Sequence, residues 1–300
     1  MAPQSIPVPE QPSVEQLIAA GAAEFERQGL AFGHGTASAV DEAAALVFHA
    51  LHLDHEEAAS AYRLRPARTD VLRVLALFRE RIERRVPAAY LMGRMWFAGL
   101  EFEIDPRVIV PRSPFAELIV EGFEPWVEPE SVRSVLDIGT GSGCIAVACA
   151  VALPQARVDA VDVSPDACAV ARRNVARHGV GDRVRLLCGD VYEPVGDERY
   201  DIIVANPPYV SDAEMAELPD EYRHEPELAL RGGADGLDVV RRILAGAAGH
   251  LRPGGVLFVE VGDSEERVPQ AFPGLPFTWL EFAQGGGGVF MLRAEDFGRR

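Results

Sequence analysis

Val135-Leu136-Asp137-Ile138-Gly139-Thr140-Gly141-Ser142-Gly143 is the stretch on which the reading of this chain turns. A short apolar strand runs into glycines at alternate positions, and Cys144 to Leu153 follow with the character of a buried helix. Glycine lets the backbone approach a ligand where a Cβ would collide, and the helix behind it offers free N–H groups. Nineteen residues past Gly143, Asp162 ends a second strand, Val158 to Val161. A carboxylate there can accept both hydroxyls of a ribose. A glycine turn alone serves many tight turns, but turn plus acid in a strand–helix–strand context indicates a nucleoside cofactor. These residues leave open which nucleoside, although NAD prefers GxGxxG and this chain has GxGxG after Asp137.

Downstream the alternation continues. Asp166 to His178 reads as a helix, with Ser164 as cap, Pro165 in the first turn and Gly179 at the stop. Val184 to Cys188 and Tyr200 to Ala205 read as strands, Leu237 to His250 as a helix and Val256 to Val261 as a strand. A short helix near Ser264 to Gln270 precedes strands Phe277 to Phe282 and Val289 to Leu292, joined by a tight turn at Gly285–Gly288 and therefore antiparallel. Such order predicts an α/β fold with an open, seven-stranded, mostly parallel sheet and helices on both faces. Cys188-Gly189-Asp190 places one more acid at a strand end, where it can receive an adenine amino group or simply form a turn.

The fourth of these strands ends in Asn206-Pro207-Pro208-Tyr209. Neither proline has an N–H, and each restricts the residue before it, so the strand stops in a stiff turn. That turn offers an amide side chain, backbone carbonyl acceptors and an aromatic ring to one space, which suits a planar, electron-poor NH₂ group.

Upstream, Ser13 to about Arg85 carries apolar residues at helical spacing, broken at Gly33-His34-Gly35 and Arg65-Pro66, with Asp41 and Asp70 as N-terminal caps or first-turn acids. Residues 13–86 form a small helical domain, preceded by a loose proline-rich tail (1–12). A β linker (87–111) contains a hairpin around Gly99 and a strand at Arg107–Val110, and the second domain spans 112–300 and opens with a helix over Phe115–Phe123. No signal peptide or bilayer-spanning run is visible, which places the chain in the cytoplasm. Cys144, Cys149, Cys168 and Cys188 lack CxxC spacing and read as reduced thiols; His49, His52 and His55 have no companion cluster, so no metal is expected.

The net charge is −17, with 10 basic against 12 acidic side chains in residues 1–94 and 19 against 34 in the rest. Affinity for nucleic acid rests on neutralised phosphates, which this balance supplies poorly; a basic protein partner fits better. All basic side chains are arginines, a bias that reads as genomic.

Asp137-x-Gly139-x-Gly141-x-Gly143, Asp162, Asp190 and Asn206-Pro207-Pro208-Tyr209, in that order, resemble a class I S-adenosylmethionine-dependent methyltransferase acting on planar NH₂ nitrogens. Tyr90-Leu91, Trp96-Phe97-Ala98-Gly99, Val110-Pro111-Arg112-Ser113-Pro114, Tyr222-Arg223-His224-Glu225-Pro226-Glu227-Leu228 and Phe277-Thr278-Trp279-Leu280-Glu281-Phe282 extend the likeness to the HemK/PrmB family of protein-glutamine methyltransferases. The similarity is closest to the branch acting on the large-subunit ribosomal protein uL3, since the release-factor branch has Arg-Pro-Asp where this chain has Arg112-Ser113-Pro114. The Gly285–Gly288 run matches less clearly and carries no functional weight.

The resemblance implies a Rossmann-like catalytic domain, a helical substrate-recognition domain and S-adenosylmethionine as methyl donor, leaving S-adenosylhomocysteine as product. It implies cofactor contacts from Asp137, Gly139, Thr140, Gly141, Gly143, Asp162, Asp190, Val191 and Asn206. It gives Asn206, Pro207 and Tyr209 to catalysis and, with Pro208, to substrate binding. Arg112 either lines the cofactor pocket or closes the linker. His224 sits in an acidic loop that receives a basic substrate or is a plain surface turn. Adenine-N(6) nucleic-acid methylation and release-factor methylation are the alternative activities.

Overall fold

A computed structural model describes residues 6–54, 58–283 and 285–298. Contacts divide the chain into two compact units, residues 1–95 with 219–224, and residues 96–218 with 225–300.

The first unit is helical: Val14–Arg27, Ala39–Leu51, Ala58–Ala61, Arg68–Arg84 and Ala88–Met92. Ser13 opens the first helix with a reciprocal capping box, its Oγ accepting the Gln16 N–H while Gln16 Oε1 accepts the Ser13 N–H at 2.9 Å. Ser38, not Asp41, caps the second helix, and Asp41 and Asp70 stand in first turns where the helix dipole favours them. Leu17, Phe25, Leu46, Phe48 and Phe78 form the core, Phe25 and Phe78 meeting edge to face at 5.2 Å. Gly21 is required there: a Cβ would stand 2.5 Å from the Phe78 ring. The tail read as loose departs from that expectation at Ile6, which is buried in this core, with Val8 packed against it; residues 1–5 lie outside the described residues. So does His55.

Arg81 has no exposed surface. Its guanidinium donates to Glu42, to Glu221 Oε1 at 3.1 Å and to the Ala31 carbonyl at 2.8 Å. Glu221 also accepts the Ala31 N–H at 3.1 Å, and Tyr222 packs on His34 at 4.3 Å. Residues 219–224 therefore count among the helices, far in sequence from them. His224 accordingly contacts the Arg84 carbonyl at 2.8 Å.

Strands β1 (Arg94–Phe97) and β2 (Leu100–Glu103) make the expected hairpin. The sheet of the second unit contains β3 (Ser134–Ile138), β4 (Arg157–Asp162), β5 (Val184–Cys188), β6 (Tyr200–Ala205), β7 (Leu251–Glu260), β8 (Thr278–Trp279) and β9 (Val289–Arg293). Their order is β5-β4-β3-β6-β7-β9-β8, parallel from β5 to β7, with β9 antiparallel to both β7 and β8. This is the expected mostly parallel seven-stranded sheet. Its faces are covered by separate clusters: Ile202 and Val204 of β6 point to one with helix Cys144–Ala152, and Ile203 and Ala205 to the other with helix Asp238–His250. Burial on both faces explains why Ile202 to Ala205 of β6 read as an unbroken apolar run.

Three readings need correction. Residues 107–110 form no strand; Val108 N–H closes a turn onto the Asp105 carbonyl, and Val110 N–H is taken by the Glu225 side chain at 2.9 Å, so no sheet partner is involved. The helix from Phe115 ends at Val120, because Gly122 and Phe123 adopt positive φ. The strand at 277–282 shrinks to Thr278–Trp279.

Candidate active site

The strand order reverses at β3, whose neighbours are β4 and β6, and ligands of open α/β sheets bind outside the carboxyl ends at such a point. Register does the rest. Ile138 pairs with Ala205, so the turn at Gly139 and the turn at Asn206 leave the sheet side by side. A Cβ on Gly139, at φ +77°, would lie 3.5 Å from the Asn206 carbonyl. Asp162 pairs with Cys188, and the Gly189 N–H donates to the Asp162 carbonyl at 3.0 Å, bringing Asp190 to the same rim.

One cavity joins these ends. Its wall includes Gly139, Gly141, Asp162, Asp190, Val191, Asn206, Pro207 and Pro208. The Asp162 carboxylate is held by the Gly141 and Ser164 N–H groups, both at 2.8 Å. Burial raises its pKa and these two donors oppose the rise. Asp137 lies behind the wall, fully buried, with Oδ2 accepting from Thr140 Oγ1 at 2.6 Å and Ala146 N at 3.1 Å. Its Oδ1 has no partner among the described residues, and burial lifts the carboxyl to about 7. Thr140 thus orients Asp137, and Gly143 serves packing: at φ +80°, its Cβ would meet Ala171 Cβ at 3.1 Å.

Sequence reasoning missed several partners. Asp190 is ion-paired with Arg242, which also lines the cavity; the pair is half exposed and leaves acceptor capacity on the carboxylate. Val191 sits at φ +46°, a costly conformation for a β-branched residue and one concentrated at functional sites. Val191 is among the contacts the resemblance implies, whereas Arg242 has no local sequence signal, being one arginine on an amphipathic helix. Arg112 closes the linker instead of pointing at the cavity just described: both guanidinium nitrogens grip Glu225, whose Oε1 also accepts the Val110 N–H.

The single space expected for the turn is divided: Tyr209 is not on the wall lined by Asn206, Pro207 and Pro208 but stands in a second cavity of ≈ 650 Å³, with Arg112, Glu260, Asp263, Glu265, Glu266 and residues 286–288. Its ring lies against Gly262, where a Cβ would come within 2.6 Å, and its carbonyl accepts from Ser264 Oγ at 3.1 Å. Gly288, at φ +66°, supports this floor, since a Cβ on it would stand 2.2 Å from the Gly262 carbonyl oxygen. The glycine run therefore has a packing role beneath Tyr209 that its sequence did not convey.

The donor set suits an adenosine cofactor carrying a cationic amino acid tail: a diol acceptor at Asp162, a glycine cradle, and the buried Asp137 carboxyl behind that cradle with one oxygen unpartnered among the described residues. Fold and site define a Rossmann-like methyltransferase, and residues 116–219 match the family model "Methyltransferase small domain". Three curated relatives, each named ribosomal protein uL3 glutamine methyltransferase, are 47% identical to this chain over 95% of its length. They come from Burkholderia pseudomallei (95% of that protein covered), Xanthomonas campestris pv. campestris (92%) and Bordetella pertussis (96%). The chain belongs to this family of protein-glutamine methyltransferases.

Asp162→Ala is expected to weaken S-adenosylmethionine binding roughly ten- to a hundredfold, the value of a charge-assisted hydrogen bond. Isothermal calorimetry checks this, and an unchanged affinity would take the diol away from Asp162.

Proposed function

We propose that this chain methylates the side-chain amide nitrogen of a glutamine in ribosomal protein uL3, with S-adenosylmethionine as donor. The observation that carries the chemistry is the Ile138–Ala205 register, which sets Asn206-Pro207-Pro208-Tyr209 beside the cofactor turn. The acceptor's identity rests on the relatives' names and on the acidic charge balance, which favours a basic protein over DNA or RNA.

A carboxamide nitrogen is a poor nucleophile because its lone pair is shared with the carbonyl. Asn206 Oδ1 and the Pro207 carbonyl accept its two N–H groups, which locks the amide plane and leaves electron density on nitrogen. Pro208 has no N–H, so the turn adds acceptors without a competing donor. Tyr209, which follows Pro208 and lines the neighbouring cavity, is assigned to cover the amide from that side and exclude water. When bound, S-adenosylmethionine supplies a methyl group already activated on a sulfonium. Asp162, Gly139 and Gly141 would hold the ribose of that ligand, and Asp190 and Val191 its adenine. The Asp137 carboxyl, buried behind the glycine turn, would balance the cationic tail from there. Alignment alone can account for about 7–11 kcal/mol of such a barrier, and no strong base is required before the methyl bond begins to form. The helical unit is assigned to recognising the substrate protein, and the cytoplasm, where ribosomal proteins are made, to the reaction.

The test is to incubate the protein with methyl-labelled S-adenosylmethionine and, separately, hypomethylated uL3, unmethylated release factor and DNA. Label on a uL3 glutamine, located by tandem mass spectrometry, is the expected result. Label confined to release factor or DNA, or none anywhere, would refute the assignment.

A further inference from the structure

We propose that Glu260 is a positioning residue of the methyl-transfer site, holding the Tyr209 ring over the acceptor amide through the tyrosine hydroxyl. The inference rests on the glutamine-methylation reading above.

Glu260 ends β7, next to the strand that delivers Asn206, and is buried. A carboxylate at that depth is costly unless its oxygens are engaged. Oε2 accepts from Ser113 Oγ at 2.5 Å, and the same Oγ accepts the Phe115 N–H at 3.1 Å, so one oxygen is committed to the start of helix Phe115–Val120. Oε1 faces Tyr209, whose hydroxyl lies 3.4 Å away. That is longer than an ordinary hydroxyl–carboxylate bond, and such contacts tighten when a substrate fills the site.

The rest of Tyr209 is already confined, its ring against Gly262 and its carbonyl bonded to Ser264. A Cβ on Gly236 would stand 2.3 Å from that carbonyl oxygen, so glycine is what lets the two backbones lie this close. Tyr209 and Glu260 both line the second cavity, and Glu260 is the carboxylate that meets the tyrosine hydroxyl. An aromatic ring held at both ends presents one face to an amide plane; a ring held at one end samples several. The reaction depends on alignment, so this difference falls on the transfer step and not on cofactor binding.

The groups facing Glu260 are Ser113, the Arg112 guanidinium and the Tyr209 hydroxyl, with Asp263, Glu265 and Glu266 around the same cavity. Burial pushes the Glu260 carboxyl up to about 7, against the lowering effects of Ser113, Arg112 and Tyr209. Its ionised form, the stronger acceptor for the tyrosine hydroxyl, is therefore reached only as the pH rises through neutrality.

The experiment is a double-mutant cycle on the full chain with hypomethylated uL3. Glu260→Gln, Tyr209→Phe and the double variant are compared with wild type for kcat, for cofactor affinity and for kcat between pH 6 and 9. The expected result is a roughly tenfold fall in kcat for each single variant, with the double no slower than Tyr209→Phe. Cofactor affinity should stay within a few-fold, and the rise in wild-type kcat near pH 7 should vanish in both singles. Additive losses would overturn the role, as would wild-type kcat and pH profile in Glu260→Gln. If Glu260→Gln fails to fold, Tyr209→Phe decides alone: a pH step retained there overturns the proposal, and its loss supports it. No transfer by the wild type would overturn the substrate reading and this role with it.

Discussion

Asn206→Ala should lower turnover by about a hundred- to a thousandfold while leaving S-adenosylmethionine affinity within a few-fold of wild type. The rate loss is that of removing one preorganised hydrogen-bond partner of a reacting group, about 3–4 kcal/mol. Asn206 contributes to the cavity wall together with Gly139, Gly141, Asp162 and others, so the cofactor keeps most of its contacts when this one amide goes. Asn206→Asp retains an acceptor oxygen in nearly the same place and should keep more activity than the alanine variant. Single-turnover kinetics with labelled donor, beside calorimetric binding, separates the two effects. An equal loss of binding and turnover would show that Asn206 holds the cofactor and not the acceptor amide.

Arg81→Met should destabilise the helical unit by about 3–5 kcal/mol, because it leaves the buried Glu42 carboxylate without its cation and Glu221 with Arg85 in place of two arginines. Such a loss is a large part of the 5–15 kcal/mol typical of a whole domain. Burial already raises the Glu42 pKa, with Arg81 the main force opposing it; without Arg81 the rise is larger. A carboxyl whose folded pKa is raised contributes stability that is present in full below its unfolded pKa, near 4.5, and is lost as pH rises through the folded value. The penalty of Arg81→Met is thus smallest near pH 5 and greatest at pH 8, as urea unfolding at the two values would show. Adding Glu42→Gln and Glu221→Gln should recover much of the loss, and failure to recover would mean that packing of the arginine stem dominates.

The methyltransferase motifs were legible because each is local. Gly139, Gly141 and Gly143 need positive φ within one turn, and Pro207-Pro208 stiffens its own neighbourhood. The partners of those motifs were not legible. Glu260 lies 51 residues from Tyr209, and Arg242 lies 52 from Asp190. A strand-end glutamate or a helix-face arginine has the same local pattern whether or not it meets a site. The stretch 107–110 shows the converse failure: Val108, Ile109 and Val110 have the apolar, β-branched character of a strand, yet the N–H of Val110 is satisfied by a carboxylate 115 residues away.

By itself, then, the sequence determined the strand–helix order, the glycine turn with Asp162, and the stiff turn that begins at Asn206, since periodicity and backbone restriction act between near neighbours. Only the tertiary structure decided that Ile138 and Ala205 lie side by side, that Glu221 is buried on Arg81 among the helices, and that Gly262 and Gly288 make the floor under Tyr209. The physical reason is that strand register, buried ion pairing and close backbone approach join segments 26 to 140 residues apart, where no local pattern in the chain records the partner.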